Sequence, residues 1–291
     1  MKSIKYIFGL ICTVLIFAKC QPDPLDITLQ DYEPSLVVAS QVLPGKIMFI
    51  GLTRSFTVLS SAGSKGFGDS STFANVLVDS AFVSIEHSGQ FDTLFKVAPG
   101  LFASPSPLDN PGENYTLKVT DYLLNKSVTA SAEMLPNVKF DTVYPVIINN
   151  IDDTIVTIHA ELIDDPNGDN FYMINVYSRE ILENGLDLNS FFDNGENKIQ
   201  STVLYKGPEL EKIDFKIDIE LELARVTDSI AVALSSISES YYEFLKKREK
   251  GGNVFTELTN EPINYPSNVK GGFGFFNTHF PDVVYFDLNE F

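Results

Sequence analysis

The chain has 291 residues, and its 39 acidic against 21 Lys and Arg residues give a formal net charge of −18 at pH 7. An acidic surface of this size repels phosphate backbones, which argues against nucleic acid as a partner. The hydrophobic content of 44% is enough for a folded core, and the length suggests one large domain or two of ordinary size.

The first predicted element is a signal peptide over residues 1–19. Lys2 and Lys5 precede an apolar run over residues 7–18. This run of 12 residues is shorter than the roughly 20 that a helix needs to cross a bilayer. The segment is therefore interpreted as an export signal rather than a permanent membrane span.

Cys20 follows the apolar run and is the one cysteine that remains after signal removal, because Cys12 lies inside the signal. A single exported thiol at the new N-terminus is what lipoprotein maturation requires, and acyl chains on Cys20 would hold the protein on a membrane. The alternative is an ordinary secretory signal cut near Ala18. Lys19 stands where a lipoprotein signal usually has a small residue, which keeps that alternative open.

A tether over residues 20–34 leads into a predicted first domain over residues 35–135. Runs with period-two alternation or β-branched residues predict strands at residues 35–42, 46–53, 81–86, 93–97, 115–120 and 127–132. Turn residues separate these runs, and the Ser- and Gly-rich residues 59–72 predict a loop. Short strands at this density are typical of an immunoglobulin-like β-sandwich.

A second β-rich domain is predicted over residues 136–291. Its predicted strands are residues 143–148, 154–162, 171–178, 200–205, 212–220 and 229–235, with a longer connection at 179–197. Ser238 is the predicted N-cap of a helix near residues 238–250 that stops at the Gly251–Gly252 pair. The Gly-rich residues 271–276 are predicted to form the closing strand of this domain. The predicted fold class is mainly β: a sandwich, then a β-rich domain with one packed helix.

Catalytic motifs are missing from the sequence. His87, His159 and His279 are far apart and have no HExxH-type spacing, so they are interpreted as ordinary surface or core residues. No G-x-S-x-G motif is present, and the acidic residues are too many for one glycosidase pair to be singled out. We therefore expect neither an enzyme activity nor a cofactor.

One acidic turn, over residues 164–170, is a candidate ion site. Oxygen atoms of Asp165, Asn167 and Asp169 could converge on Ca²⁺. An EF-hand template that begins at Asp165 fails, because its twelfth position is Val176. The alternative is a polar β-turn whose backbone is set by Pro and Gly.

Stretches along the chain resemble a family of Bacteroidetes outer-membrane lipoproteins known as domain of unknown function 4249. They are LDITLQDYEPSLVVASQV (25–42), LTRS (52–55), GENYTLKV (112–119), VKFDTV (138–143), DDPNGDNFYMINV (164–176), SSISESYYEFL (235–245) and SNVKGGFGFF (267–276). The resemblance implies an envelope lipoprotein with no established activity, often encoded beside TonB-dependent outer-membrane receptors. It supplies no catalytic residues.

A recurrent pattern places Ser or Thr after Asp and before an apolar residue. It is similar to the O-glycosylation signal of Bacteroidetes exported proteins, and the hydroxyl residues are Ser80, Thr93, Thr142, Thr154 and Ser229. A strand that begins after a turn produces the same order of residues. Both readings stay open.

These observations predict an outer-membrane lipoprotein that acts as a non-catalytic binding or accessory component beside a TonB-dependent receptor, with its ligand unspecified. Asp23 and Asp26 in the tether resemble the acidic stretch of surface-displayed lipoproteins, although prolines interrupt it. A surface adhesin or structural protein is the first alternative. A glycan-active enzyme that depends on carboxylates is the second.

Overall fold

The strands form four sheets, which we call A to D. A computed structural model describes residues 33–55, 76–149, 154–163, 170–178, 200–207, 212–221, 229–251 and 265–291. Sheet A has the strand order β16-β1-β2-β6-β5, sheet B β15-β8-β7-β3-β4, sheet C β13-β10-β9 and sheet D β12-β11-β14-β17. The protein is mainly β, as predicted.

The strands of the N-terminal half are β1 (Leu36–Val42), β2 (Met48–Arg54), β3 (Ala81–His87), β4 (Gln90–Thr93), β5 (Phe95–Ala98), β6 (Leu101–Ala103), β7 (Asn114–Asp121) and β8 (Lys126–Glu133). The later strands are β9 (Phe140–Asn149), β10 (Thr154–Ile163), β11 (Phe171–Ser178), β12 (Gln200–Lys206), β13 (Lys212–Leu221), β14 (Ser229–Ser236), β15 (Val269–Lys270), β16 (Phe273–Phe275) and β17 (Asp282–Asp287). Helix α1 spans Glu239–Gly251, and a 3-10 helix spans Leu288–Glu290.

Sheets A and B pack face to face as a first sandwich. Alternate residues of their strands point into one core, which holds Leu36, Ile50 and Leu52 of sheet A and Ile85 and Leu117 of sheet B. Burial of these side chains removes apolar surface from water, which is the main force that holds the two sheets together.

Sheets C and D form a second sandwich with its own core, which includes Ile158 of β10, Ile174 of β11 and Val232 of β14. A third apolar cluster joins the two sandwiches, because Leu101 of β6 packs with Tyr177 of β11 and Ala231 of β14. The layers therefore follow the order B, A, D, C. Residues Pro34–Phe291 belong to one compact unit.

The last strands depart from the predicted division of the chain. The Gly-rich residues 271–276 were expected to close the second domain, but β16 pairs in parallel with β1 of sheet A, and β15 pairs with β8 of sheet B. The chain then returns to the second sandwich, where β17 pairs with β14. Residues 269–287 therefore contribute strands to both sandwiches.

Two further differences have local causes. The predicted strand 93–97 is broken at Leu94, whose side chain is buried in the first core while its N–H donates to Val83 O at 2.9 Å. The chain passes from sheet B to sheet A at this point, so β4 and β5 are separate strands. Strand β6 was not predicted because its three residues are all buried and show no alternation.

Helix α1 begins as predicted. Ser238 Oγ accepts a hydrogen bond from the Tyr241 N–H at 3.3 Å, and Glu239 lies in the first turn. Tyr241 and Leu245 are buried on one face of the helix against Phe275 of β16. In the described ranges, no helix has both the length and the apolar character needed to cross a membrane.

Candidate functional site

An exposed apolar strip lies on β9. Alternation along this strand turns Val143 and Ile147 toward the second core, whereas Tyr144, Val146 and Ile148 are 46%, 37% and 48% exposed. Neighbouring exposed apolar side chains of this kind form a candidate interaction surface. We call these three side chains the β9 strip.

The neighbouring strand supports the β9 strip from the side. Tyr144 is the cross-strand partner of His159 on β10, and their rings stack with centroids 5.2 Å apart and an interplanar angle of 12°. Ile148 stands opposite Ile155 in the same way. The stacking contact restricts the Tyr144 ring, and a side chain that is restricted before binding loses less conformational entropy when a partner binds.

The backbone edge of β9 adds a second binding element. Sheet C ends at β9 in the described part of the chain, and Pro145, which lacks an N–H, suits an edge position. An edge strand offers backbone donors and acceptors to a partner strand, while its side chains provide specificity. The strip and the edge together can bind an apolar or strand-shaped protein segment.

The sequence carries a signal for the β9 strip that the prediction did not use. Residues 143–148 are apolar at every position, a pattern typical of a strand covered on both faces. In the part of the chain that the structure describes, only the face of β9 that carries Val143 and Ile147 packs on the second core.

A titratable cluster surrounds His87 at the β3–β4 turn. His87 Nε2 lies 3.2 Å from Asp92 Oδ2, and its Nδ1 lies 3.6 Å from Glu113 Oε2. The carboxylates stand on opposite ring nitrogens, so the three groups do not point at one metal position. Ser88 Oγ donates to Glu113 rather than to His87, so it lacks the hydrogen bond that would activate a nucleophile.

The other two histidines hold structural positions. His279 is buried, and its Nδ1 lies 3.2 Å from Asn277 Nδ2. Burial lowers the pKa of His279 to about 4, although a hydrogen bond with the Val42 backbone acts in the opposite direction. His159 takes part in the stack with Tyr144 described above. Among the described residues, no group of three or more His, Cys, Asp or Glu is placed to hold a metal ion.

Several predicted site residues fall outside the described residues. They are the lipid-anchor candidate Cys20 and the ion-site candidates Asp165, Asn167 and Asp169. The predicted loop at 59–72 and the connection at 179–197 fall outside them as well.

The hydroxyl residues of the Asp-Ser/Thr pattern do not converge on one place. Ser80 directly precedes β3, Thr93 ends β4 and Thr142 lies in β9, and all three are exposed. Ser229 opens β14 and is half-buried. Thr154 opens β10, and its side chain is outside the described part of the structure. Thr142 shares the outer face of β9 with the strip.

Comparison with protein families gives a match to one model, described as "Domain of unknown function (DUF4249)", over residues 22–279. This match confirms the resemblance to domain of unknown function 4249. No curated protein matches the chain.

Two solved structures of a glycosyl hydrolase family 2 member from Bacteroides cellulosilyticus show a remote likeness. Each has 8% identity and a TM-score of 0.24, and the alignments cover 72% and 75% of this chain. The chain spans 34% and 29% of the length of those structures. A likeness of this size supports no conclusion about fold or activity.

Proposed function

The chain belongs to the DUF4249 family, and from this premise we propose that it is an outer-membrane lipoprotein that binds a protein partner without catalysis. Cys20 carries the lipid, and the β-sheet body presents a docking surface to a TonB-dependent receptor. The receptor is inferred from the family resemblance of the sequence. The body contributes the surface that such a partner needs.

The observation that carries the binding role is the β9 strip. The outer face of sheet C exposes Tyr144, Val146 and Ile148. Neighbouring exposed apolar side chains favour aggregation when nothing covers them, so a binding partner is a physical reason for their presence. Aromatic residues are enriched in protein interfaces because they bury a large area with few rotatable bonds. A receptor segment that covers the strip would bury all three side chains.

Affinity purification of the full-length protein from membranes of its native host tests the partner. We expect the wild-type protein to recover an outer-membrane receptor, and the double variant Tyr144→Ser/Ile148→Ser to recover much less. Tyr285→Ser is the control, because Tyr285 is also an exposed Tyr, at 59% against 46% for Tyr144, and lies on the edge strand of sheet D. Recovery of no receptor by the wild-type protein, or equal recovery by all three proteins, would contradict the binding role.

The lipid anchor needs its own test. Cys20→Ser removes the acylated sulfur, so the variant should leave the detergent-rich phase in a phase-partition experiment while the wild-type protein stays in it. If the variant remains in the detergent phase although its intact mass shows that residues 1–19 have been removed, the anchor is not at Cys20. This measurement does not depend on any partner.

The outer face of sheet B favours a second candidate, a surface adhesin. Hydroxyl side chains line this face in hydrogen-bonded pairs, such as Thr116 with Ser131 at 3.1 Å and Thr120 with Ser127 at 2.9 Å. Phe82, which stands opposite Thr120, and Phe91, which stands opposite Glu86, are exposed as well.

A whole-cell adhesion assay distinguishes a surface adhesin from a protein that binds a receptor. Loss of adhesion in Phe82→Ser/Phe91→Ser with retained receptor binding would favour the adhesin.

A further inference from the structure

One end of the A/B sandwich gathers three parts of the chain. The compact unit Pro34–Phe291 begins there, ahead of β1. Lys126 Nζ, which follows the β7–β8 turn, donates to Pro34 O at 3.1 Å. The β15–β16 turn is at the same end, because a Cβ on Gly272 would overlap the carbonyl of Leu36. We call this the tether end.

The tether end exposes large apolar side chains. Tyr122 and Leu123 of the β7–β8 turn are 63% and 73% exposed, and Phe273 of β16 is 56% exposed. Tyr is characteristic of the boundary between lipid and water, and Leu and Phe supply the apolar contact of proteins that lie on a membrane surface. The composition of this end therefore fits a bilayer better than an aqueous surface.

The exposed charges at the tether end include an acid, Glu33 ahead of Pro34, and a base, Lys270. Lys270 is exposed directly before the β15–β16 turn. Asp121 precedes Tyr122, but its carboxylate is 0% exposed and is paired with Arg54, so it does not present its charge to the surface. In a chain with a net charge of −18, this end offers a cation to the phosphates of lipids.

The distance from the anchor limits where the body can lie. Residues 21–33 separate Cys20 from Pro34, a span of 13 residues. A span of that length reaches at most about 45 Å when fully extended, and about 20 Å as a flexible coil. The tether end is the part of the described body joined directly to that span, so it is held at a high local concentration beside the bilayer.

We propose that Tyr122, Leu123 and Phe273 insert into the lipid–water boundary of the membrane that holds Cys20, with Lys270 facing the lipid phosphates. This inference rests on the proposed lipid anchor and adds an orientation to it. The contact does not use the β9 strip, which lies on sheet C rather than on sheet A or B.

A tryptophan reporter tests the contact, because the chain contains no Trp. Leu123→Trp places the reporter at the tether end. Phe91→Trp is the matched control, because Phe91 is also exposed and pairs with Glu86 at the far end of β3, whereas Ala81 at the near end pairs with Asp121. Both full-length lipidated variants are reconstituted in vesicles of phosphatidylethanolamine and phosphatidylglycerol, with and without brominated acyl chains.

We expect the brominated lipids to remove most of the Leu123→Trp emission, which should also shift to shorter wavelength on membrane binding. The Phe91→Trp emission should not change. Unquenched emission from Leu123→Trp, or equal quenching of both variants, would overturn the inference.

Flotation of the same vesicles separates this inference from the proposed anchor. If both variants float and Leu123→Trp is not quenched, the membrane contact is wrong while the anchor stands. If neither variant floats, the anchor itself fails, and the contact fails with it.

Discussion

Arg54 and Asp121 join the two sheets of the first sandwich through a pair of hydrogen bonds. Arg54 Nε donates to Asp121 Oδ2 at 2.7 Å, and Nη2 donates to Oδ1 at 3.1 Å. The Leu123 N–H also donates to Oδ1, at 2.8 Å. Burial raises the pKa of Asp121, but the hydrogen bonds from Arg54 and the Leu123 backbone outweigh it and hold the pKa below its usual value.

Removal of one partner of this pair should be costly. We expect Asp121→Asn to lower the free energy of unfolding by about 3 kcal/mol, because the Arg54 charge stays buried without its counter-charge. The double variant Arg54→Met/Asp121→Leu should recover most of that loss. Urea unfolding near neutral pH measures both values.

An exposed ion pair provides the control for Asp121→Asn. Lys118 Nζ lies 2.6 Å from Glu86 Oε2 on the outer face of sheet B, where the two side chains are 47% and 35% exposed. Lys118→Met should therefore cost less than about 1 kcal/mol. An Asp121→Asn variant no less stable than Lys118→Met would contradict the structural role of the buried pair.

The lowered pKa of Asp121 also predicts that the free energy of unfolding decreases in acid. A carboxyl group whose pKa is lower in the folded state stabilises the protein above its unfolded pKa of about 3.9. That contribution is lost as the pH falls from the pKa of the unfolded state through the lower pKa of the folded state. The wild-type protein should therefore lose stability in this acid range more steeply than Asp121→Asn does.

Local patterns in the sequence predicted most strands because alternation and turn residues are local properties. The Arg54–Asp121 pair was not predicted, because its members lie 67 positions apart and nothing in the sequence marks them as partners. The return of β16 to β1 was missed for the same reason, since a parallel pairing between distant segments leaves no local pattern. Register between distant strands depends on the whole packed core.

The candidate site was predictable only in part. The apolar residues 143–148 were predicted as a strand, but a sequence does not show which face of a strand stays uncovered. The position of Tyr177 was also not predictable from the sequence. Its side chain is buried between sheets A and D rather than in either sandwich core. Burial raises its pKa, although a hydrogen bond with Gln41 of β1 acts in the opposite direction.

His279 predicts a second, separate dependence on pH. Its pKa of about 4 in the folded protein lies below the usual 6.5. The contribution of neutral His279 is therefore fully present above about pH 6.5 and is lost as the pH falls toward 4, by up to about 3 kcal/mol. This range lies above that of Asp121, so the two effects can be separated.

The variant His279→Gln tests whether His279 causes this loss of stability, because Gln does not titrate. Urea unfolding at about pH 7 and about pH 4.5 should show a smaller loss of stability for the variant than for the wild-type protein. The comparison uses the difference between the two pH values, so any cost of the substitution itself cancels. An equal loss in both proteins would place the acid sensitivity elsewhere.

Glycosylation of the exported protein should be visible as added mass. Of the five pattern residues, Ser80, Thr93 and Thr142 are exposed in the structure and accessible to a transferase. We expect the intact mass of the protein from its native host to exceed the mass of its polypeptide and lipid by at least one hexose. The triple Ala variant should lose that addition, and protein made without residues 1–19 should lack it. An unmodified native mass would rule the modification out.

Gly274 determines whether β16 can join sheet A. Its φ is +96°, and an added Cβ would overlap the Val38 carbonyl of β1. Gly274→Ala should therefore lower the free energy of unfolding by more than about 4 kcal/mol, because backbone rather than a flexible side chain would have to move.

Gly112→Ala is the matched control, since Gly112 has a φ of +85° but no atom within 4 Å of an added Cβ. The control should cost only about 1 to 3 kcal/mol, from backbone strain alone. Urea unfolding measures both, and similar losses would show that the parallel pairing of β16 with β1 does not depend on this close approach.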